Sequence, residues 1–132
     1  MRRSLRRRKW ERGSAVVEFA LVLPILLLVC LALVQIGVLA RDQLLLVQGA
    51  RAGAREAAVE PDEGAVRTAV LEAAPGLDPT RIDVTIERTG GRGEPVRVTV
   101  GYDGMIAAPL AGLFLPERVR LDAAATMRQE FP

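Results

Sequence analysis

The dominant pattern in the chain is a long, charge-free and mostly apolar run that follows Glu18 and ends at Ala40. The 22 residues from Phe19 to Ala40 carry no formal charge. As an α-helix that rises about 1.5 Å per residue, this run would span about 33 Å, which is enough for a hydrocarbon core about 30 Å thick. A lone segment in lipid must satisfy its backbone amides internally. The run therefore predicts a transmembrane helix, which we place at residues 14–40.

Helix-forming residues continue beyond the apolar run to Val59, and Pro61 marks a boundary. We therefore expect one long helix from Ser14 to about Val59. Its outer half has small residues at four-residue spacing, which places them on one helix face. We expect this face to pack closely against the sheet of its own domain, in preference to forming a helix–helix seam. The helix-packing residues are Gly49, Gly53 and Ala57.

A second, shorter helix is predicted from Glu63 to Ala74, and Pro75-Gly76 ends it. After Pro79 the spacing changes to the alternation of strands with one buried face. The predicted strands centre on residues 82–87, 96–100 and 119–127, with a hairpin turn at 89–94. The predicted fold class is α+β: a long N-terminal transmembrane helix continues into a small extracytoplasmic domain, residues 41–132, with a short second helix and an antiparallel sheet of about three strands.

One further apolar segment, Met105 to Leu115, is interrupted by Pro109 and Gly112. It is too short and too interrupted to span a membrane. We interpret it as a loop that either packs under the sheet or forms an exposed contact patch.

The charge distribution separates a basic leader, residues 1–13, from the rest of the chain. Seven of the eighteen basic residues lie in the first twelve positions, opposed there only by Glu11. Positive residues beside a membrane helix are retained on the cytoplasmic side, which predicts residues 1–13 inside and residues 41–132 outside. We do not favour nucleic-acid binding, because no basic patch interleaved with aromatic residues follows.

The rare residue types exclude several kinds of chemistry. The chain has no histidine and no asparagine, and its serines are Ser4 and Ser14. Hydrolase triads with histidine and histidine-containing zinc sites are therefore excluded. Cys30 is the only cysteine, so no intrachain disulfide can form. Asp83 and Glu87 fit a solvated strand face. We predict no catalytic, cofactor-binding or metal-binding residue, and we do not expect an enzyme.

The start of the predicted helix holds a second pattern. Ser14 fits an N-cap, and Glu18 lies within reach of the positive end of the helix. Glu18 is also the fifth residue after Gly13. A cut after Gly13 would create a new cationic amine at Ser14, four residues from a carboxylate that needs a partner at the membrane edge. The amine of a neighbouring subunit could supply that partner.

The stretch from Arg12 to Pro24, RGSAVVEFALVLP, resembles the type IV prepilin-like proteins, and among them the TadE-like family of tight-adherence pilus assembly proteins. The resemblance implies cleavage between Gly13 and Ser14 by a membrane-embedded prepilin peptidase. It also implies that Glu18 supports assembly with other pilus or secretion-machine subunits. Val38-Leu39-Ala40 would fit cleavage as an ordinary secretory signal, but the apolar region exceeds the usual ~7–15 residues, which favours retention.

Two functional hypotheses follow from these observations. The first is a single-pass, pilin-like structural or assembly component of a tight-adherence pilus or related secretion machine, held in the cell membrane. The second is a secreted or membrane-tethered binding module that does not polymerise and uses the segment at 105–115 to bind its partner.

Overall fold

The computed structural model describes the backbone of residues 4–105 and 118–131, and the side chains of residues 14–105 and 118–131. The predicted α+β class is confirmed: the described elements are two α-helices, one 3-10 turn and three β-strands. In chain order they are α1 (Ser4–Val59), α2 (Glu63–Ala73), the 3-10 turn (Pro79–Arg81), β1 (Ile82–Arg88), β2 (Pro95–Met105) and β3 (Arg118–Arg128).

Helix α1 begins at Ser4, ten residues before the predicted start at Ser14. Two expectations were therefore wrong: the leader is helical from Ser4, and Ser14 lies inside the helix instead of capping it. Arginine, lysine and leucine have good intrinsic helix propensities, and the one interior glycine of this stretch, Gly13, costs only about 1 kcal/mol. A long helix already nucleated beyond Gly13 extends readily through such residues.

Helix α2 starts at a well-formed cap and ends one residue before its predicted end. The Asp62 carboxylate accepts hydrogen bonds from the Gly64 N–H at 3.1 Å and the Ala65 N–H at 3.2 Å, which satisfies two of the free amides of the first turn. At the other end, Ala74 is the C-cap. Gly76 follows with a φ of 93°, a left-handed conformation that glycine adopts without strain.

The three strands form an antiparallel sheet in the order β1-β2-β3. The hairpin between β1 and β2 was predicted correctly, but β2 runs five residues beyond Val100 to Met105. Gly101 and Gly104 interrupt the valine alternation there, so the periodic signal weakens while the pairing continues. Tyr102 pairs with Ile82 on one side and Leu121 on the other.

The core lies between one face of this sheet, α2 and the C-terminal part of α1. Its fully buried large side chains come from all three layers: Leu46, Val66, Val70, Val96, Val98 and Val100. The Gln43 side chain of α1 donates a hydrogen bond to the Asp122 carbonyl of β3 at 3.0 Å. This bond ties the helix to an edge strand of the sheet.

The chain divides into two compact units, residues 1–36 and 37–132. Within the described helices, the stretch Ser14–Val59 is long and apolar enough to cross a membrane, and its most apolar window is entirely unburied. The second unit, which we call the head, contains α2 and the sheet. Of the apolar segment 105–115, Met105 is the last residue of β2, and the remainder lies outside the described residues.

Candidate functional site

The residues predicted to act in processing and assembly occupy successive turns of α1. Gly13 and Ser14 are consecutive helical residues, and Glu18 follows one turn later. The Ser14 hydroxyl donates a hydrogen bond to Glu18 Oε1 over 3.0 Å. Residues four apart lie on the same helix face, so the helical geometry brings this pair together. Glu18 therefore has a hydrogen-bond partner within its own chain.

Glu18 lies where the apolar surface of α1 begins. On its C-terminal side the exposed face of α1 is almost entirely apolar from Phe19 to Val34, and the large side chains there are exposed. An ionised side chain carried into the bilayer centre costs about 2.5–3.5 kcal/mol on insertion scales, and such groups pair with one another or with backbone carbonyls. A carboxylate at this border is thus placed where a cationic partner would stabilise it.

The small-residue face of α1 lies within the head. A Cβ on Gly49 would lie 3.3 Å from Val70 Cγ1, and a Cβ on Gly53 would lie 2.5 Å from Val70 Cγ2 and 3.2 Å from Val98 Cγ1. Ala57 is completely buried. Gly49 therefore faces α2, and Gly53 faces both α2 and the sheet. The predicted packing against the sheet is therefore found at Gly53, whereas Gly49 contacts α2, because residue spacing alone does not identify the partner of a helix face.

A cluster of charged side chains covers part of the outer sheet face. Arg120 lies 3.2 Å from Asp122, 3.4 Å from Asp103 and 3.5 Å from Asp83, so each strand supplies one carboxylate. Its hydrogen bond with Asp122 is the main cause of a raised Arg120 pKa. The cluster is solvent-exposed, and ion pairs of this kind contribute little to stability. Its geometry provides no nucleophile beside a base.

A second cluster ties the α1–α2 connection to the last described residues. Arg88 Nη2 donates to the carbonyl oxygens of Glu60 and Pro61 at 3.3 and 3.4 Å. Its guanidinium carbon lies 5.8 Å from the centre of the Phe131 ring, within the range of a cation–π contact. No local pattern in the sequence indicated Arg88 or Arg120, because all their partners except Asp122 are 17 to 43 positions away.

The described residues offer no metal site: within 14–105 and 118–131, no group of three histidine, cysteine, aspartate or glutamate side chains could hold a metal ion. Cys30 is a free, exposed thiol on the apolar part of α1.

Comparison with known proteins gives one match. A family model described as TadE-like protein matches residues 13–55, about a third of the chain. Neither the curated proteins nor the solved structures yielded a match. The matched segment begins at Gly13 and includes Glu18, the apolar run, Gly49 and Gly53. The resemblance to the TadE-like family is thereby confirmed over residues 13–55.

Proposed function

We propose that this protein is a single-pass, pilin-like subunit of a tight-adherence pilus or a related secretion machine, which acts as a structural or assembly component. The observation that carries the proposal is the position of the TadE-like match on α1. The match covers an unburied apolar helix with a carboxylate at its N-terminal border and a small-residue face at its C-terminal end.

The membrane orientation follows from the charges beside the apolar helix. The leader, residues 1–13, carries seven basic residues and one acidic residue, so it stays in the cytoplasm. The head, which begins near the end of the apolar run at Ala40, then lies outside. The small-residue face at Gly49, Gly53 and Ala57 serves the packing of the head and does not contribute to contacts between membrane helices.

Processing by a prepilin peptidase would change the chemistry beside Glu18. Hydrolysis of the Gly13–Ser14 peptide bond consumes one water, leaves a carboxylate on Gly13 and creates an amine on Ser14, which is protonated near neutral pH. Before the cut, the Ser14 hydroxyl donates a hydrogen bond to Glu18 Oε1. After the cut, the cationic amine of a neighbouring subunit can pair with the Glu18 carboxylate. Pairing in the low-dielectric bilayer favours ordered side-by-side packing of helices.

The processing step is tested by the intact mass of the protein recovered from membranes. We expect a mature species that begins at Ser14. A mass that corresponds to the full chain from Met1, or to a chain that begins at Arg41, would contradict the processing step.

The role of the carboxylate is tested by two substitutions at one position. Glu18→Ala removes the carboxylate, whereas Glu18→Gln keeps nearly the same volume without the charge. We expect both variants to be processed and inserted but to assemble poorly, because neither can form the ion pair. Normal assembly of Glu18→Gln would show that the charge is not needed, and normal assembly of both would exclude any role for this side chain.

Cys30 offers a direct assay for assembly, because it is the only cysteine and is exposed on the apolar helix. In a subunit that polymerises through its membrane helix, an oxidant or a short bifunctional thiol reagent should link Cys30 to Cys30 of a neighbour. A Cys30→Ala variant is the matched control. Complete absence of the crosslinked dimer in assembled material would favour the alternative, a membrane-tethered binding module that does not polymerise.

A further inference from the structure

Within the head, strand β2 packs lengthwise along the part of α1 from Leu39 to Gly53. A Cβ on Gly53 of α1 would touch Val98 of β2, and a Cβ on Gly104 of β2 would lie 3.6 Å from Leu39 of α1. The helix advances about 21 Å over the fourteen residues from Leu39 to Gly53. The strand advances about 20 Å over the six residues from Val98 to Gly104. The two elements therefore run side by side in opposite directions over the same length.

This alignment fixes which end of the sheet lies at the depth of the membrane boundary. The charge-free segment ends at Ala40, one residue after Leu39, and Arg41 is the first charged residue beyond it. The polar headgroup region adds about 5–8 Å on each side of the hydrocarbon core. At about 1.5 Å per helical residue, that region corresponds to roughly three to five residues beyond the end of the apolar run. Gly104 and its strand neighbour Met105 are therefore level with the lipid interface.

The side chains at this end suit a lipid interface. Met105 is 56% exposed, and it pairs in the sheet with Arg118 of β3, which is also exposed. Arg41 is exposed as well, and one of its terminal nitrogens packs against the turn at Gly76, 2.6 Å from where a Cβ would lie. An apolar side chain flanked by arginines matches the boundary between acyl chains and phosphates.

We propose that the membrane-proximal end of the head, formed by Leu39, Arg41, Gly76, Met105 and Arg118, rests on the outer surface of the bilayer and makes a second membrane contact besides the helix. The inference rests on the insertion of α1 that the proposed function requires. The occupant is the lipid surface because this end is continuous with the end of the charge-free helix, and because its two arginines can bind lipid phosphates.

The test compares two methionines of one sheet. Met127 is also exposed, at 41%, but lies nine residues from Arg118 along β3, which places it about 30 Å from the proposed contact. Met105→Cys and Met127→Cys are each made in full-length Cys30→Ala protein, labelled with an environment-sensitive fluorophore and reconstituted in liposomes with nitroxide-bearing headgroups. We expect the label at 105 to lose most of its fluorescence and the label at 127 to keep it.

Equal fluorescence of the two labels would overturn the inference. Insertion itself is checked with the label on native Cys30 and nitroxides in the acyl chains. Quenching at Cys30 without quenching at position 105 would leave the proposed function intact and reject the lipid contact. Loss of quenching at Cys30 would instead reject the membrane helix. A label at position 105 that escapes quenching at high protein density, and is quenched once the protein is diluted in lipid, would show that a second copy covers this end. That result would also overturn the proposal.

The contribution of charge is tested with a second matched pair. Arg118→Glu places an acid at the proposed contact, whereas Arg128→Glu makes the same change at the opposite end of β3. In liposomes with anionic lipids, we expect Arg118→Glu to reduce quenching at position 105 and Arg128→Glu to leave it unchanged. Equal effects of both substitutions would mean that the contact does not involve Arg118.

Discussion

Helix α1 has two parts that differ in which side chains are exposed: the first half, residues 14–36, and the second half, residues 37–59. In the first half, large apolar residues such as Leu33 and Val34 are exposed. In the second half, the residues that are completely buried are mostly small, such as Ala50, Ala54 and Ala57. Along α1, many exposed side chains are therefore large and apolar, whereas most completely buried side chains are small. The side chains of residues 14–34 are exposed, whereas the second half of α1 supports a folded domain.

This contrast shows that apolar character alone does not locate the core of this protein. The exposed leucines and valines of the first half are stabilised only when lipid surrounds them, since transfer of apolar surface from water is the favourable step. The buried glycines and alanines of the second half gain little from such transfer. Their contribution is to allow the close approach of α2 and β2 to the helix, where many weak dispersion contacts add up.

The largest predicted difference comes from one leucine-to-alanine change made in each half. Leu46 is completely buried, so Leu46→Ala should reduce the free energy of unfolding of the head by about 2–5 kcal/mol. Leu33 is 63% exposed on the apolar half, so Leu33→Ala should leave the head unchanged. Pulse proteolysis of the full chain in detergent with increasing urea measures both. Equal losses would show that the head does not form a separate core around Leu46.

A smaller difference should separate two glycines of α1. A Cβ at Gly53 would collide with the stiff, buried Val70, so Gly53→Ala should reduce the free energy of unfolding by about 1–3 kcal/mol. Nothing lies within 4 Å of a Cβ at Gly37, so Gly37→Ala should show only the favourable helix propensity of alanine, about 1 kcal/mol or less. The same urea titration gives both values. A stabilising Gly53→Ala would mean that the close approach of α2 is not required.

The smallest predicted effect concerns the cap of α2. Asp62→Ala removes the acceptor for two backbone amides and should lower the free energy of unfolding of the head by about 1 kcal/mol. Asp62→Ser, which restores a capping oxygen, should recover most of the loss. The urea midpoints of the three proteins provide the measurement. A loss that serine does not restore would assign the role of Asp62 to its charge.

The sequence predicted the parts of the fold that repeat along the chain. The alternation of isoleucines and valines with polar residues located β1 and the start of β2, and Pro75-Gly76 marked the end of α2 within one residue. The apolar run identified the membrane helix candidate, and the stretch around Gly13 and Glu18 pointed to the family that was then matched. These features could be predicted because each depends on neighbours within a few positions.

The features that the sequence did not reveal depend on distant partners or on continuation of a helix. Arg88 and Arg120 could not be assigned, since their contacts form only after the strands and helices pack. Gly49 contacts α2 instead of the sheet, because the packing of all the core elements together determines the partner. Helix α1 begins at Ser4 instead of the predicted Ser14, because the leader residues extend a helix that is already nucleated beyond Gly13.

The central claim is that α1 crosses the membrane and leaves the head on the side opposite to the leader. A membrane-impermeant thiol reagent applied to intact cells tests it most directly, with a single cysteine at Ser14→Cys or Met127→Cys in the Cys30→Ala protein, because both positions remain in the chain after a cut at Gly13. We expect labelling at position 127, and labelling at position 14 only after the membrane is opened. Labelling at both positions only after the membrane is opened would contradict it.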